Sequence, residues 1–190
     1  MHGARRLERL IGDLLASVRL EAGSIAMTFA PVSIRDLFAD LVARYGDECR
    51  KRNIILDGEI AADHVIADAF RLDQALDNLL VNALRHVPAG GRIVFRARHA
   101  GSGIELTIWD SGGAIAPAHL PHIFDRFYKA ASASGIASPG SGLGLSIVKA
   151  IVERHGGSVS ASSSPQDGTT FTIVLPRVNS SEATTLAAAG

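Results

Sequence analysis

Asn78 and Asn82 stand one helical turn apart in the stretch Arg71-Leu-Asp-Gln-Ala-Leu-Asp-Asn-Leu-Leu-Val-Asn-Ala-Leu-Arg-His86. Residues four apart on a helix are neighbours, so the two carboxamides share one face with Arg71, Gln74 and Arg85. Asn is a poor mid-helix residue because its side chain competes for backbone hydrogen bonds, and a solvated face would ordinarily hold Glu, Lys or Gln. The pair therefore has two readings. Either it is a surface face that happens to hold two Asn, or the amide oxygens face a bound cation or phosphate.

Three other stretches carry chemistry. Trp109-Asp110-Ser-Gly112-Gly-Ala114-Ile115 puts a carboxylate at the end of an apolar strand, directly before a glycine turn. Such a carboxylate can accept from an amino group, for instance that of adenine, or it can serve an ordinary Asp turn. Gly140-Ser-Gly142-Leu143-Gly144-Leu145 leads into a helix. Glycines let backbone N–H groups approach a phosphate at a helix N-terminus, and a flexible hinge is the other reading. The run lacks the Gly-Lys-Ser/Thr ending of a Walker loop, and it follows a loop where a dinucleotide fingerprint would follow a strand. Ile123-Phe124-Asp-Arg126-Phe127-Tyr128-Lys129 places three aromatics and two cations in a long loop. The aromatics need something to dock on, and the cations suit a terminal phosphate.

The elements that position these groups follow from hydrophobic periodicity. Leu72, Leu76, Leu79, Leu80, Ala83, Leu84 and Val87 form an apolar stripe opposite the Asn face, and Pro88 with Gly90-Gly91 closes that helix. Leu7, Leu10, Ile11, Leu14, Leu15 and Val18 predict an amphipathic helix over 4–22, ended by Gly23. After an extended link, Pro31-Val-Ser33-Ile-Arg-Asp36 opens a second helix, with Ser33 and Asp36 at capping-box spacing. Strands are predicted near 53–57 and 64–67, and the alternation over 92–99 and 104–110 predicts a hairpin turning at Ala100–Gly103. A helix over 144–155 and strands over 158–163 and 170–175 complete the pattern. The fold expected is α/β (α+β): a two-layer sandwich of a mixed, mostly antiparallel sheet with helices on one face, plus an N-terminal helix.

The totals agree with one globular domain and an appendage. Hydrophobic residues make up 47% of the 190 and charged residues 20%. Nineteen basic and nineteen acidic residues balance, which predicts no nucleic-acid partner and no membrane contact by this chain itself. A single cysteine, Cys49, excludes an internal disulfide and a cysteine-rich metal site. No apolar run reaches the roughly 18–20 residues of a spanning helix, and no signal peptide is visible, so the expected compartment is the cytoplasm, with a parent protein that could carry a membrane anchor upstream.

Taken together and in this order, the segments resemble the ATP-binding catalytic domain of sensor histidine kinases, whose wider superfamily also holds DNA gyrase, the Hsp90 chaperones and the MutL repair proteins. The resemblance covers roughly residues 30–177. Asn78-Leu-Leu-Val-Asn82-Ala looks like the family's N box and Asp110-Ser-Gly112 its first glycine box. Phe124–Tyr128 looks like its aromatic box, Gly140–Leu145 its second glycine box, and Gly168-Thr-Thr-Phe171 its closing strand. The resemblance implies residues 1–23 as the remnant of a dimerisation-domain second helix, 24–33 as a linker and 34–177 as the catalytic domain. Within it, about 116–142 would be the lid, and 178–190 a disordered tail.

The same resemblance implies ATP and Mg²⁺ as ligands. Asn82 would hold the metal with Asn78 beside it, Arg85 and His86 would flank the nucleotide, and Asp110 would read the adenine amine. Gly112, Ala114, Ile115 and Tyr128 would line the pocket. Lys129 would meet the γ-phosphate, with Arg126 the weaker candidate for that contact. Gly140, Gly142, Leu143, Gly144 and Leu145 would close over the phosphates. Hydrolytic relatives carry a Glu four residues before the metal Asn. Here that residue is Asn78, which cannot act as a base, so the resemblance implies transfer with slow hydrolysis.

Two departures matter. Ala114 stands where a second Gly is expected, which would cost about 1 kcal/mol or more if that position needed a left-handed backbone. None of His2, His64, His86, His99, His119, His122 and His155 has the context of the family's phosphoacceptor. The partners implied are therefore a His-containing dimerisation domain, on the parent chain or a separate subunit, and a downstream response regulator. An ATPase-like relative, a superfamily anti-sigma serine kinase and a nucleotide-binding regulatory module without kinase activity are the alternatives.

Overall fold

The computed structural model describes residues 26–129 and 141–176. The readings of 1–23 as a dimerisation-helix remnant and 178–190 as a tail, together with Gly140, lie outside the described residues.

Among the described residues, seven strands and three α-helices follow in order: β1 (Ala30–Ser33), α1 (Ile34–Lys51), β2 (Ile55–Ile60), β3 (His64–Ala67), α2 (Ala69–His86), β4 (Arg92–Ala100), β5 (Gly103–Asp110), α3 (Gly144–Arg154), β6 (Ser158–Ser164) and β7 (Gly168–Leu175). A short 3-10 turn at Leu120–His122 interrupts the loop between β5 and α3. The main sheet has the order β2-β4-β5-β7-β6. Only β2 and β4 are parallel in it; every other pairing is antiparallel. This is the mixed, mostly antiparallel sandwich that the periodicity predicts.

Strand parity decides which side chains reach the helices. In β5, Ile104, Leu106 and Ile108 are buried, and Asp110 shares their parity. In β7, Thr169, Phe171, Ile173 and Leu175 do the same, and the register sets Thr169 directly opposite Asp110. A carboxylate and a hydroxyl are thus carried into the helical layer by otherwise apolar strands.

The helical layer is amphipathic as read. Leu72, Ala75, Leu76, Leu79, Leu80, Ala83 and Leu84 of α2 are buried in the common core. Each buried Leu stabilises the fold by roughly 1.5–3 kcal/mol. Asp68 caps the start of α2, its Oδ1 accepting from the Arg71 N–H at 3.0 Å. Ser33 caps α1 by accepting from the Asp36 N–H at 3.2 Å.

Residues 30–33, read from the sequence as the end of a linker and the opening of a helix, form β1. They pair antiparallel with β3, Ala30 opposite Ala67 and Ser33 opposite His64. The pairing satisfies backbone groups that a free linker would leave to water, and helix α1 starts only at Ile34.

Candidate functional site

Helix α2 gathers the motifs. At Asn78 the side-chain Nδ2 donates to the Gln74 carbonyl one turn back, at 3.0 Å, which fixes the rotamer and leaves Oδ1 directed away from the helix. That oxygen lies against Gly144, the first residue of α3: a methyl group built there would sit 3.0 Å from it. The N-terminus of α3, with its unpaired amides, therefore abuts the Asn face. Asn82 is half-buried one turn on, and its amide makes no hydrogen bond to any described residue. Two amide oxygens and a helix N-terminus offer hard oxygen donors to a cation and N–H groups to an anion.

The first glycine turn seats on the C-terminal end of the same helix. A methyl group on Gly112 would lie 2.5 Å from Asp110 Oδ1 and 2.8 Å from the His86 carbonyl oxygen, so only glycine lets the turn approach. The Gly112 N–H donates to Asp110 Oδ1 at 2.8 Å. Asp110 is 1% exposed, and its burial pushes the carboxyl pKa up to about 6, against the pull of the Gly112 amide. His86 is shifted down, by desolvation first and by the Arg85 charge second. Arg85 and His86 are both exposed at the end of α2.

The turn beyond Gly112 hangs from β6 and β7. Ile115 N–H donates to Ser163 Oγ at 2.9 Å, and Ser163 Oγ meets Thr169 Oγ1 at 2.7 Å. Ser163 and Thr169 were not singled out as site residues from sequence. The signal available was the register, since Thr169 stands across from Asp110. Ala114 is exposed and has no left-handed backbone, the positive-φ residues other than glycine among those described being Asn53 and Phe127. The strain feared for Ala114 is absent because the turn is made with φ below zero there.

The aromatic box closes on the second glycine box. Phe127 has φ 60°, and its N–H donates to the Gly142 carbonyl at 2.9 Å. Gly142 has φ +73°, and a methyl group there would lie 2.8 Å from the Phe127 carbonyl carbon. Gly142→Ala is strained on both counts. We expect it to lower Mg·ATP affinity about tenfold or more, with a loss of about 1–2 kcal/mol in stability, checked by titration and thermal melting.

The remaining predicted residues are placed unevenly. Tyr128 is half-buried, with its hydroxyl 2.7 Å from His119 Nδ1, so it braces the loop. Lys129 is exposed and bonds to no described residue. The side chains of Leu143, Leu145 and Ile115 pack into or against the core, leaving their backbones as the groups able to face a ligand.

Arg52, also unforeseen, caps the C-terminus of α2. Its guanidinium donates to the carbonyls of Leu84 and Val87, each at 2.6 Å, at the negative end of the helix dipole. Arg52→Ala should cost about 1–2 kcal/mol, seen as a melting temperature lower by about 3–8 °C.

A family model described as "Histidine kinase-, DNA gyrase B-, and HSP90-like ATPase" matches residues 67–179. The chain is 38% identical over 176 residues to the sensor protein DivL of Caulobacter vibrioides, covering 91% of this chain and 22% of DivL. It spans less than a third of the length of the curated relatives it matches. Among solved structures, full-length ShkA in complex with AMPPNP superposes with a TM-score of 0.81 at 25% identity, covering 92% of this chain and 36% of that one. Histidine kinase ThkA in complex with the response regulator TrrA gives 0.75 at 24%, covering 93% and 49%. Among the described residues no helix is long and apolar enough to cross a membrane. The chain belongs to the family of histidine kinase-, DNA gyrase B- and HSP90-like ATPases, as an ATP-binding catalytic domain of the sensor histidine kinase kind.

Proposed function

We propose that this chain binds Mg·ATP across the Asn face of α2 and transfers the γ-phosphoryl group to a histidine on a dimerisation domain. The observation that carries the proposal is the meeting of three motifs on one helix. Asp110 and Gly112 sit at its end, Asn82 and Asn78 along it, and Gly144 against Asn78.

Asp110 accepts from the adenine amine, and its burial makes that acceptor selective because an unmatched carboxylate there is costly. Asn82 Oδ1, with Asn78 Oδ1 beside it, would hold Mg²⁺, which would supply charge neutralisation on the phosphates. The N-terminal amides of α3 hold phosphate oxygens, and Lys129 is the cation available from the lid. In the transfer the P–O bond to the β-phosphate breaks, a P–N bond forms to the imidazole, and ADP leaves. Positioning and charge neutralisation do most of this work. Asn78 cannot take a proton from water, so hydrolysis stays slow.

The domain in this reading begins at β1, which pairs with β3 and is no part of a linker, has its lid at about 116–142 as read from the sequence, and works in the cytoplasm. A response regulator would receive the phosphoryl group downstream, as a kinase of this kind assembles with one in the ThkA–TrrA complex. The regulatory-module alternative rested on strain at Ala114, and no left-handed backbone is present there.

The test is incubation of the chain with Mg·[γ-³²P]ATP and a separately produced histidine-containing dimerisation domain. Acid-labile, base-stable label on that domain is expected. Sustained phosphate release with no label on any acceptor would refute the transfer reading in favour of an ATPase.

A further inference from the structure

Among the described residues, Asp68 at 8% and His155 at 2% exposure are buried polar side chains away from the nucleotide site. They meet at the opposite end of the helix pair. The Asp68 backbone N–H donates to His155 Nε2 at 3.0 Å, and His155 Nδ1 bonds the Ile151 carbonyl at 2.8 Å. The first contact makes Nε2 an acceptor and the second makes Nδ1 a donor, so the imidazole is the neutral Nδ1–H tautomer. Burial also holds His155 below its ordinary pKa.

The same pair grips the segment that enters the domain. Asp68 Oδ2 accepts from the Thr28 N–H at 2.9 Å while Oδ1 caps α2. The Phe29 ring meets the His155 ring edge-on at 5.3 Å. Asp68 begins α2 and His155 ends α3, so the two helices run antiparallel and are pinned here. They come close again where Asn78, midway along α2, meets Gly144 at the start of α3, about 15 Å along each axis. A helix pair packed closely at two points along its length moves as a unit, because packed interfaces do not deform continuously.

We infer that Asp68 and His155 are positioning residues, forming a joint through which the entry segment at Thr28–Phe29 biases the nucleotide end of the same two helices. The inference deepens the nucleotide-site reading and rests on it for its ligand. Coupling of this kind is reciprocal: a shift of the entry segment changes nucleotide affinity, and nucleotide changes how firmly Thr28 is held.

The test uses the full chain and starts without nucleotide, by amide hydrogen exchange. Thr28→Pro removes the donated amide at an exposed residue, and Asp68→Asn weakens the same grip. Both should speed exchange several-fold at Ile147, whose N–H bonds Leu143 in the first turn of α3, while Leu106 and Ile173 in the sheet stay unchanged. His155→Gln, which returns an acceptor to the Asp68 N–H, should restore protection that His155→Leu loses. Exchange confined to residues 28–29 and 68–71, or equal behaviour of the Gln and Leu variants, overturns the joint. Mg·ATP titration of Thr28→Pro should show affinity weaker by about fivefold. Wild-type affinity there also overturns the joint. Absence of binding in the unmodified chain contradicts the nucleotide reading alone, and the exchange result still decides the joint.

Discussion

Asn82→Ala should abolish detectable phosphoryl transfer to a dimerisation domain supplied in trans while leaving the fold intact. The half-buried Asn82 amide bonds to no described residue, so its removal breaks no hydrogen bond among them. Alanine is also the better helix former at that position, by up to about 0.7 kcal/mol. What is lost is the oxygen offered to Mg²⁺. Metal neutralisation of the transferring group is worth several kcal/mol, so the rate should fall by about 100-fold or more. The melting temperature should stay within about 2 °C of the unmodified chain. Calorimetry should show ATP still binding, more weakly and with little response to EDTA. An Asn82→Ala chain that transfers at the normal rate would remove Asn82 from the site.

Asp110→Asn carries the second large effect, with opposite signs for binding and stability. The buried carboxyl titrates at about 6, whereas an unfolded Asp titrates near its ordinary 3.8. Between those values the folded chain holds a proton that the unfolded chain has released. Stability therefore falls as pH rises through that window, and the full penalty is present above about 6. An amide keeps an acceptor for the Gly112 N–H and carries no charge. The variant should therefore be more stable at pH 8, by about 1 kcal/mol or 2–4 °C, and should lose that advantage below about pH 4. Its ATP affinity should drop about 10- to 100-fold, because a charged acceptor for the adenine amine is gone. In the unmodified chain, affinity should weaken as pH falls below about 6 and the carboxyl protonates. Thermal melts and ATP titrations at pH 5 and 8 separate the two effects.

Much of this was legible because local rules and global packing agree. The seven-residue stripe of α2, the β4–β5 alternation and the closing strands each announce their element through burial period alone. The Asn pair and the glycine runs were legible as chemistry because their residue types break the rules of an ordinary helix face and loop. What escaped depends on contacts between distant residues. Arg52 reaches the end of α2 more than thirty positions away, and Asp68 finds His155 at a separation of 87. Neither spacing has a local period. β1 was hidden because four residues without strict alternation become a strand only when β3 is beside them. Ala114 looked like a fault because the family's pattern has a glycine there, and whether the position needs a left-handed turn is a property of backbone angles that composition does not carry.

The central claim is a working Mg·ATP site on α2, and calorimetric titration of ATP into the full chain tests it most directly, first with Mg²⁺ and then with EDTA. Binding in the micromolar to sub-millimolar range that weakens without metal, and collapses in Asp110→Ala, is the result predicted. No heat of binding up to about 1 mM ATP, a ceiling of about 4 kcal/mol in affinity, would contradict it.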